Sequence, residues 1–456
     1  MPGDEGLTED DRRETESQAV SRLSSSVVST PSDAPFPAGL RGYAHLIREN
    51  PDARKLWLSQ VISQLGDWFN TIALLGLLVE MTGNPASGNL ISVAQIVPVA
   101  VAGLFITGVV ADRFNRKTIM ILASLMRAVL ALSFLLIRSP ATAWIAYAGT
   151  VGLSLGTAFY MPASAAALPN IVSQRELPTA AMLNQTTFAT MIFLGAFLGG
   201  LVTTFLGRNV AFVANALSFA VSAGLVWRTR ANFNASEARQ VLSGASTLRV
   251  LTEGARYLKE NALVRSYVLA KPATAWALGG FGLFSTFSIA IYGTGDFGTS
   301  LLYAGRGVGA FISPLLVSGL VSLQANKMGT LRRYINVGML MVILGYGLFA
   351  FTRSPYVGML CAGIAHWGNA WAMTLSSLIV QSNTPDHVRG RVLALDNVGW
   401  SAASALSNLL VAFVAVWFSP QVGILAATAL TAMCVAMWMA WTRRLGTQTD
   451  LPLATS

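Results

Sequence analysis

Four polar residues inside one apolar stretch carry the first sign of chemistry. Gln60, Gln64, Asp67 and Thr71 recur at i, i+4, i+7 and i+11, so a helix presents them on one face. Asp67 lies about ten residues into the stretch, which is about 15 Å along a helix axis and close to the midplane of a bilayer. An ionised carboxylate there costs about 2.5–3.5 kcal/mol even on the lenient insertion scale, so it must face water, meet a base or take up a proton. Alternately wetted from either side, Asp67 would load and release a proton. A fixed hydrogen bond or salt bridge to a neighbouring helix is the other use of the same residue.

Three bases sit in comparable surroundings. Arg127 is about ten residues into the third apolar stretch and with Asp67 makes the candidate proton-coupling pair; a static pair, or a base snorkelling to an interface, remains open. Lys271 lies near one end of the seventh stretch and reads as a snorkelling anchor. Arg306, within Gly305-Arg306-Gly307-Val308-Gly309, is placed to face a cavity and attract an anionic group. That glycine string has no preceding strand and no βαβ setting, so it is no dinucleotide loop; its spacing suits close helix packing. His366, Trp367, Asn397 and Trp400 add aromatic and polar groups that would stack on and hydrogen-bond a large amphipathic ligand. The tryptophans serve equally as core or lipid-facing residues, and His366 as a satisfied core histidine. Gln60, Gln64, Thr71, Arg306, His366, Trp367, Asn397 and Trp400 are thus the candidates for lining a cavity.

The elements that must hold these residues follow from composition. The 456-residue chain is 53% hydrophobic and 11% charged, against about 25% charge in a soluble domain, so most of it is built for lipid. Windows of about 20 apolar residues place twelve spans at 57–80, 88–111, 117–138, 142–168, 184–206, 208–228, 264–292, 296–321, 333–352, 355–381, 391–418 and 420–442. The seventh and fourth are long enough to tilt, kink or break. With both ends cytoplasmic, inner segments hold 25 of the 31 Lys and Arg, while Arg138, Arg208 and Arg353 fall outside. The chain therefore divides into an acidic, Ser/Thr/Pro-rich disordered tail (1–42), a six-helix bundle (43–228), a polar cytoplasmic linker (229–263), a second six-helix bundle (264–443) and a short cytoplasmic tail (444–456). The tail has no apolar run and is no signal peptide; residues 43–55 suit a short interfacial helix or a solvated linker. A shift of 212 residues aligns Ala158, Met161, Ser164 and Leu183 with Ala370, Met373, Ser376 and Leu395, a faint trace of two parallel halves.

Between spans two and three the chain reads Gly108-Val109-Val110-Ala111-Asp112-Arg113-Phe114-Asn115-Arg116-Lys117. This order, G-x-x-x-D-R-x-x-R-K, resembles the signature loop of the major facilitator superfamily, with Gly108, Asp112, Arg113, Arg116 and Lys117 matching and Asn115 standing where that family commonly has glycine. The resemblance implies a gate in which Asp112 meets the positive end of span eleven, near Arg389 and Arg391, while Arg113, Arg116 and Lys117 hold adjacent helix ends or headgroups. Gly195-Ala196-Phe197-Leu198-Gly199-Gly200 resembles the superfamily's antiporter motif G-P-x-x-G-G with Ala196 in place of proline; such runs also serve plain helix packing. The stretch Phe159 to Val172, with Gln381, Pro385-Asp386 and Arg389-Gly390-Arg391-Val392, is similar to the bacterial efflux branch that includes the enterobactin exporter and macrolide exporters; lysophospholipid carriers lie near it.

These resemblances imply an all-α membrane protein of twelve transmembrane helices in two six-helix bundles. The expected activity is export of a hydrophobic or amphipathic small molecule, drug- or siderophore-like, by proton antiport with alternating access. A lipid carrier, a facilitated importer or a non-transporting membrane sensor are the alternatives. The expected partners are the small-molecule substrate, the proton and membrane lipids, in a monomer of the plasma (inner) membrane without cofactor or metal. Phosphate-loop, metal-spaced Cys/His and serine-elbow motifs are missing from the sequence, which disfavours an enzyme. Cys361 and Cys434 sit in separate apolar runs and suit packing, and the net charge of +10 follows the membrane-facing loops rather than a nucleic-acid stripe.

Overall fold

The computed structural model describes residues 39–105, 110, 114–234, 247–324 and 328–446. Gly108, Asp112 and Arg113 of the signature loop, the tail up to residue 38 and part of the linker lie outside those residues. Helix α1 (Gly39–Glu49) leads into α2 (Pro51–Thr82), α3 (Ser87–Phe105), α4 (Arg116–Ser133), α5 (Trp144–Ile171), α6 (Leu177–Phe205) and α7 (Arg208–Trp227). The linker contributes α8 (Thr247–Glu260). The second half is the broken run α9 (Ala262–Ile291), then α10 (Gly295–Gln324), α11 (Met328–Phe349), α12 (Pro355–Ser382), α13 (Asp386–Trp417) and α14 (Pro420–Gly446). Eight of these runs are long and apolar enough to cross a membrane by length and composition, and α3 is a shorter apolar helix.

Each apolar window of the sequence overlaps one helical run, and the ends differ for local reasons. The first span, α2, begins at Pro51, not 57, because Asn50 caps it, accepting from the Ala53 amide at 2.9 Å, and Asp52 accepts from the Arg230 and Ala231 amides at 3.1 and 2.8 Å. Asn115 explains its own departure from glycine: its side chain caps α4, accepting from the Lys117 and Thr118 amides. Residues 39–49 form an amphipathic helix that buries Leu46 and ties Tyr43 to Thr186 of α6.

The long seventh span is broken, whereas the equally long α5 is continuous despite Pro162 and Pro169. Within α9 the turns tighten to a 3-10 helix at Trp276–Leu283, where three glycines occur, and widen to a π turn at Phe287–Ile291. Backbone groups released by the irregular turns need partners inside a membrane. They find them: the Gly279 carbonyl accepts from Asn89 Nδ2 at 2.7 Å, the Gly279 amide donates to Ser407 Oγ at 3.0 Å, Ser407 Oγ donates to the Trp276 carbonyl, and Tyr303 donates to the Phe281 carbonyl at 3.3 Å.

The halves meet along α6 with α10 and along α3 with α9 and α13. Glycines set the approach. A Cβ on Gly200 would stand 2.0 Å from Ser300 Oγ, and one on Gly307 would stand 2.5 Å from the Phe193 amide nitrogen. Cross-half hydrogen bonds cluster at the end of the bundle opposite Gly39 and Gly446, the far end. There Asn89 also donates to Asn408 at 3.1 Å, Thr286 donates to the Pro85 carbonyl at 3.0 Å, and Arg208 reaches Asp296.

Candidate functional site

Asp67 stands halfway along α2 and is half-buried, with Ser63, Gly66 and Asn70 around it buried. The helix is continuous through Gln60, Gln64, Asp67 and Thr71, so the four share one side of it. Gln60 Nε2 donates to Ser164 Oγ of α5 at 2.8 Å, Gln64 is part-exposed, and Thr71 Oγ1 donates to the Asp67 carbonyl at 2.8 Å. The carboxylate interacts through space with Arg127 of α4, without a salt-bridge contact.

Arg127 is 3% exposed. Its guanidinium lies over the rings of Tyr160 and Phe219, 4.9 and 4.3 Å from their centroids, and Nη1 donates to Thr157 Oγ1 at 3.3 Å. Nε and Nη2 have no hydrogen-bond partner. Gly156 makes room for its stem, since a Cβ there would stand 2.6 Å from Arg127 Cγ. Arg127 is thus a buried cation that keeps two unpartnered nitrogens, and the half-buried Asp67 is the acid it interacts with electrostatically.

The glycine run of α6 packs directly behind this pair. A Cβ on Gly195 would lie 2.7 Å from Trp68 Cδ1, and one on Gly199 would lie 3.1 Å from the Trp68 carbonyl. Trp68 follows Asp67 in the chain and meets Tyr303 of α10 edge-on across the halves, at 5.8 Å between ring centroids.

A second cluster surrounds Arg306 on α10. Its guanidinium lies 4.3 Å from the Phe281 centroid and 5.8 Å from that of Tyr303. His366 Nε2 and the Tyr346 hydroxyl share a hydrogen bond of 2.9 Å beside it, and both residues are buried while Arg306 is part-exposed. Gly305 and Gly309 let α12 come close: their Cβ atoms would stand 2.3 and 2.0 Å from the Met359 and Gly363 carbonyl oxygens.

The remaining candidates are dispersed. Trp367 stacks on Trp371 at 6.0 Å, and Trp371 on Tyr334 of α11 at 5.8 Å, so Trp367 belongs to a ladder along the α11–α12 seam. Asn397 is exposed, and Trp400 is packed against the core of the far half of the molecule. Lys271 is not a snorkelling anchor. It is 6% exposed and forms a buried salt bridge with Asp396 of α13, because α9 turns it inward towards the acid that the sequence places just before Asn397. In the part of the signature loop that is described, Arg116 Nη1 donates to the Ala166 and Phe233 carbonyls at 3.0 and 3.1 Å, and Lys117 Nζ donates to the Thr229 carbonyl at 2.7 Å.

Sequence reasoning missed the far-end closure. Arg208, at the first turn of α7, donates Nε and Nη2 to the two carboxylate oxygens of Asp296 at 2.8 and 2.9 Å, and Nη1 to Glu80 at 2.7 Å. Charged residues at three separate helix ends carry no local signal of their meeting. Among the described residues no group of three or more His, Cys, Asp or Glu is placed to hold a metal ion.

This arrangement of two helical halves around paired polar clusters is the fold of the major facilitator transporters. The chain aligns with the nucleoside transporter NupG (TM-score 0.67, 13% identity, 86% of this chain and 99% of that one). It also aligns with a POT family transporter in complex with 5-aminolevulinic acid (TM-score 0.69, 10% identity, 89% and 98%). Residues 47–453 match the family described as transmembrane secretion effector, and the chain belongs to that family of membrane transporters. It is 26% identical over 225 residues to the uncharacterised MFS-type transporter YfiS of Bacillus subtilis, spanning about half of that protein (53%) and 49% of this chain. It is 23% identical over 330 residues to YkuC of the same organism, covering 70% of this chain and 76% of that one. Macrolide efflux protein A of Streptococcus pyogenes is 31% identical over 133 residues, 29% of this chain and 33% of that protein.

Proposed function

We propose that this transporter exports a hydrophobic or amphipathic small molecule, drug- or siderophore-like, across the plasma (inner) membrane in exchange for protons, as a monomer with both chain ends cytoplasmic. The near end then faces the cytoplasm, and the closed far end faces outward. Asp67 carries the proton, and Arg127 is the base that draws the deprotonated acid inward.

The observation that carries this reading is the Asp67–Arg127 relationship: a half-buried acid at mid-helix that interacts electrostatically with a buried guanidinium keeping two unpartnered nitrogens. Protonation of Asp67 removes the attraction, and its loss restores it, which gives the two halves a charge-dependent reason to rearrange. Similarity to a macrolide efflux protein supports the outward direction. The hydrogen bonds of Arg116 to the Ala166 carbonyl and of Lys117 to the Thr229 carbonyl support a role for the basic end of the signature loop in fastening α4 to α5 and to the segment after α7. We extend that to Asp112 and Arg113 as the acid latch and its neighbour at the cytoplasmic gate, with Gly108 allowing the close approach.

The test is flux in proteoliposomes under an imposed pH gradient, read with 2-naphthalenesulfonate and with 2-naphthyltrimethylammonium. Gradient-driven movement of either probe is expected in the parent and is lost in Asp67→Asn. Flux that responds equally to the gradient after the substitution rejects Asp67 as the proton carrier.

A further inference from the structure

Among the described residues Arg127, Lys271 and Arg306 are basic side chains set well inside spanning helices, and two of the three have an acid. Arg127 has Asp67 and Lys271 has Asp396. Arg306 has none among the described residues: its neighbours are the faces of Phe281 and Tyr303 and the hydroxyl and imidazole of Tyr346 and His366. An unbalanced guanidinium within a membrane is costly, and such groups face the bundle interior or a water-filled path where an ion can complete them. Aromatic faces offset part of the cost by cation–π attraction, and leave the planar fork of donors free for an oxyanion.

Placement supports a ligand rather than a structural role. Arg306 is part-exposed while its flanking residues Gly305 and Gly307 and its partners Tyr346 and His366 are buried. The glycines on either side press α10 against α12 and α6, so Arg306 is left pointing at α9. Tyr303, one turn earlier on α10, touches Trp68 next to Asp67, so the Arg306 cluster adjoins the proton site across the interface of the halves.

We propose that Arg306 and its ring of Phe281, Tyr303 and Tyr346 form the substrate subsite, and that the substrate is an amphipathic anion with an aromatic or other flat apolar body. The guanidinium takes the anionic head; the rings take the body. This names the substrate class for the transport reading above and rests on it, but binding here needs no proton gradient.

Equilibrium binding to the purified full-length chain in nanodiscs tests the subsite with two permanently charged probes of matched body, 2-naphthalenesulfonate and 2-naphthyltrimethylammonium. The parent is expected to bind the sulfonate more tightly. Arg306→Gln is expected to lose about tenfold or more of that affinity, the loss expected when a charge-assisted hydrogen bond is removed, and to gain affinity for the ammonium probe, because an aromatic ring without its arginine suits a quaternary cation. A misfolded variant gains nothing. Should Arg306→Gln bind neither probe, Arg306→Lys decides: recovered sulfonate binding supports the subsite and continued loss overturns it. A parent that prefers the cation or binds neither probe, or an Arg306→Gln variant with unchanged sulfonate affinity, also overturns it. Because no gradient is imposed, failure here leaves proton antiport standing, and failure of antiport leaves this result standing.

Discussion

Arg208 and Asp296 close the far end of the molecule with two parallel bonds of 2.8 and 2.9 Å, joining α7 of one half to α10 of the other. Gly76 makes the fit possible, since a Cβ there would stand 1.8 Å from Asp296 Oδ1. A charged hydrogen bond contributes about 1.5–3 kcal/mol, and Glu80 would keep part of the arginine's charge satisfied after the acid is lost. Asp296→Asn should therefore shift the balance towards a far-open state by about tenfold. The measurement is maleimide labelling of Thr286→Cys, now 2% exposed, in a chain lacking Cys361 and Cys434. Faster labelling is expected in Asp296→Asn and in Gly76→Ala alike; an unchanged rate in both denies the pair a gating role.

Lys271 and Asp396 have a different part. Both are buried; Asp396 Oδ2 accepts from Lys271 Nζ, and Oδ1 has no hydrogen-bond partner. Removing one member of such a pair strands the other charge and costs about 3–5 kcal/mol, whereas removing both can be neutral. Lys271→Met and Asp396→Leu should each lower the unfolding temperature in detergent, and the double variant should recover most of the loss. Additive losses would mean that the two residues act independently.

Hydropathy made the helices legible, and the alternation of apolar runs with basic loops gave their order. The spacing of Gln60, Gln64, Asp67 and Thr71 likewise disclosed a face, because helical period is a local property. Pairings were not legible. Lys271 looked like a headgroup anchor because its position near a span end was visible and the turn of α9 towards Asp396 was not. Trp367 looked like a cavity residue by composition, yet its ring joins Trp371 in a seam that only the packing of α11 on α12 creates. Arg208, Asp296 and Glu80 lie at three helix ends, far apart in sequence, and nothing local marks their convergence.

Arg127 tests the coupling pair from the basic side. Its guanidinium is held by two aromatic faces and one hydroxyl, so Arg127→Gln loses cation–π contacts of about 0.5–2 kcal/mol each and leaves Asp67 without its base. Loss of gradient-driven flux is expected in Arg127→Gln. Adding Asp67→Asn should raise the unfolding temperature above that of Arg127→Gln alone, since the stranded acid is gone, without restoring flux. A double variant no more stable than the single one would show that Asp67 is held by something other than Arg127.

Among the described residues of α10, Gly309 makes the closest approach to the backbone of another helix. A Cβ there would meet the Gly363 carbonyl oxygen at 2.0 Å and the Trp367 amide nitrogen at 2.9 Å, both backbone atoms that no rotamer change can move aside. Gly309→Ala must push α12 off α10, with overpacking of this kind costing about 1–3 kcal/mol. The displacement falls one turn from Arg306 and one residue from His366, so it should loosen the sulfonate subsite as well as lower the unfolding temperature. Gly363→Ala provides the contrast, because its nearest neighbour, the Gly305 carbonyl oxygen, would lie 3.2 Å away and needs to give by only a few tenths of an ångström. If the two alanines prove equally mild in thermal unfolding and in sulfonate binding, α10 and α12 are not locked together at Gly309 and the subsite does not depend on their contact.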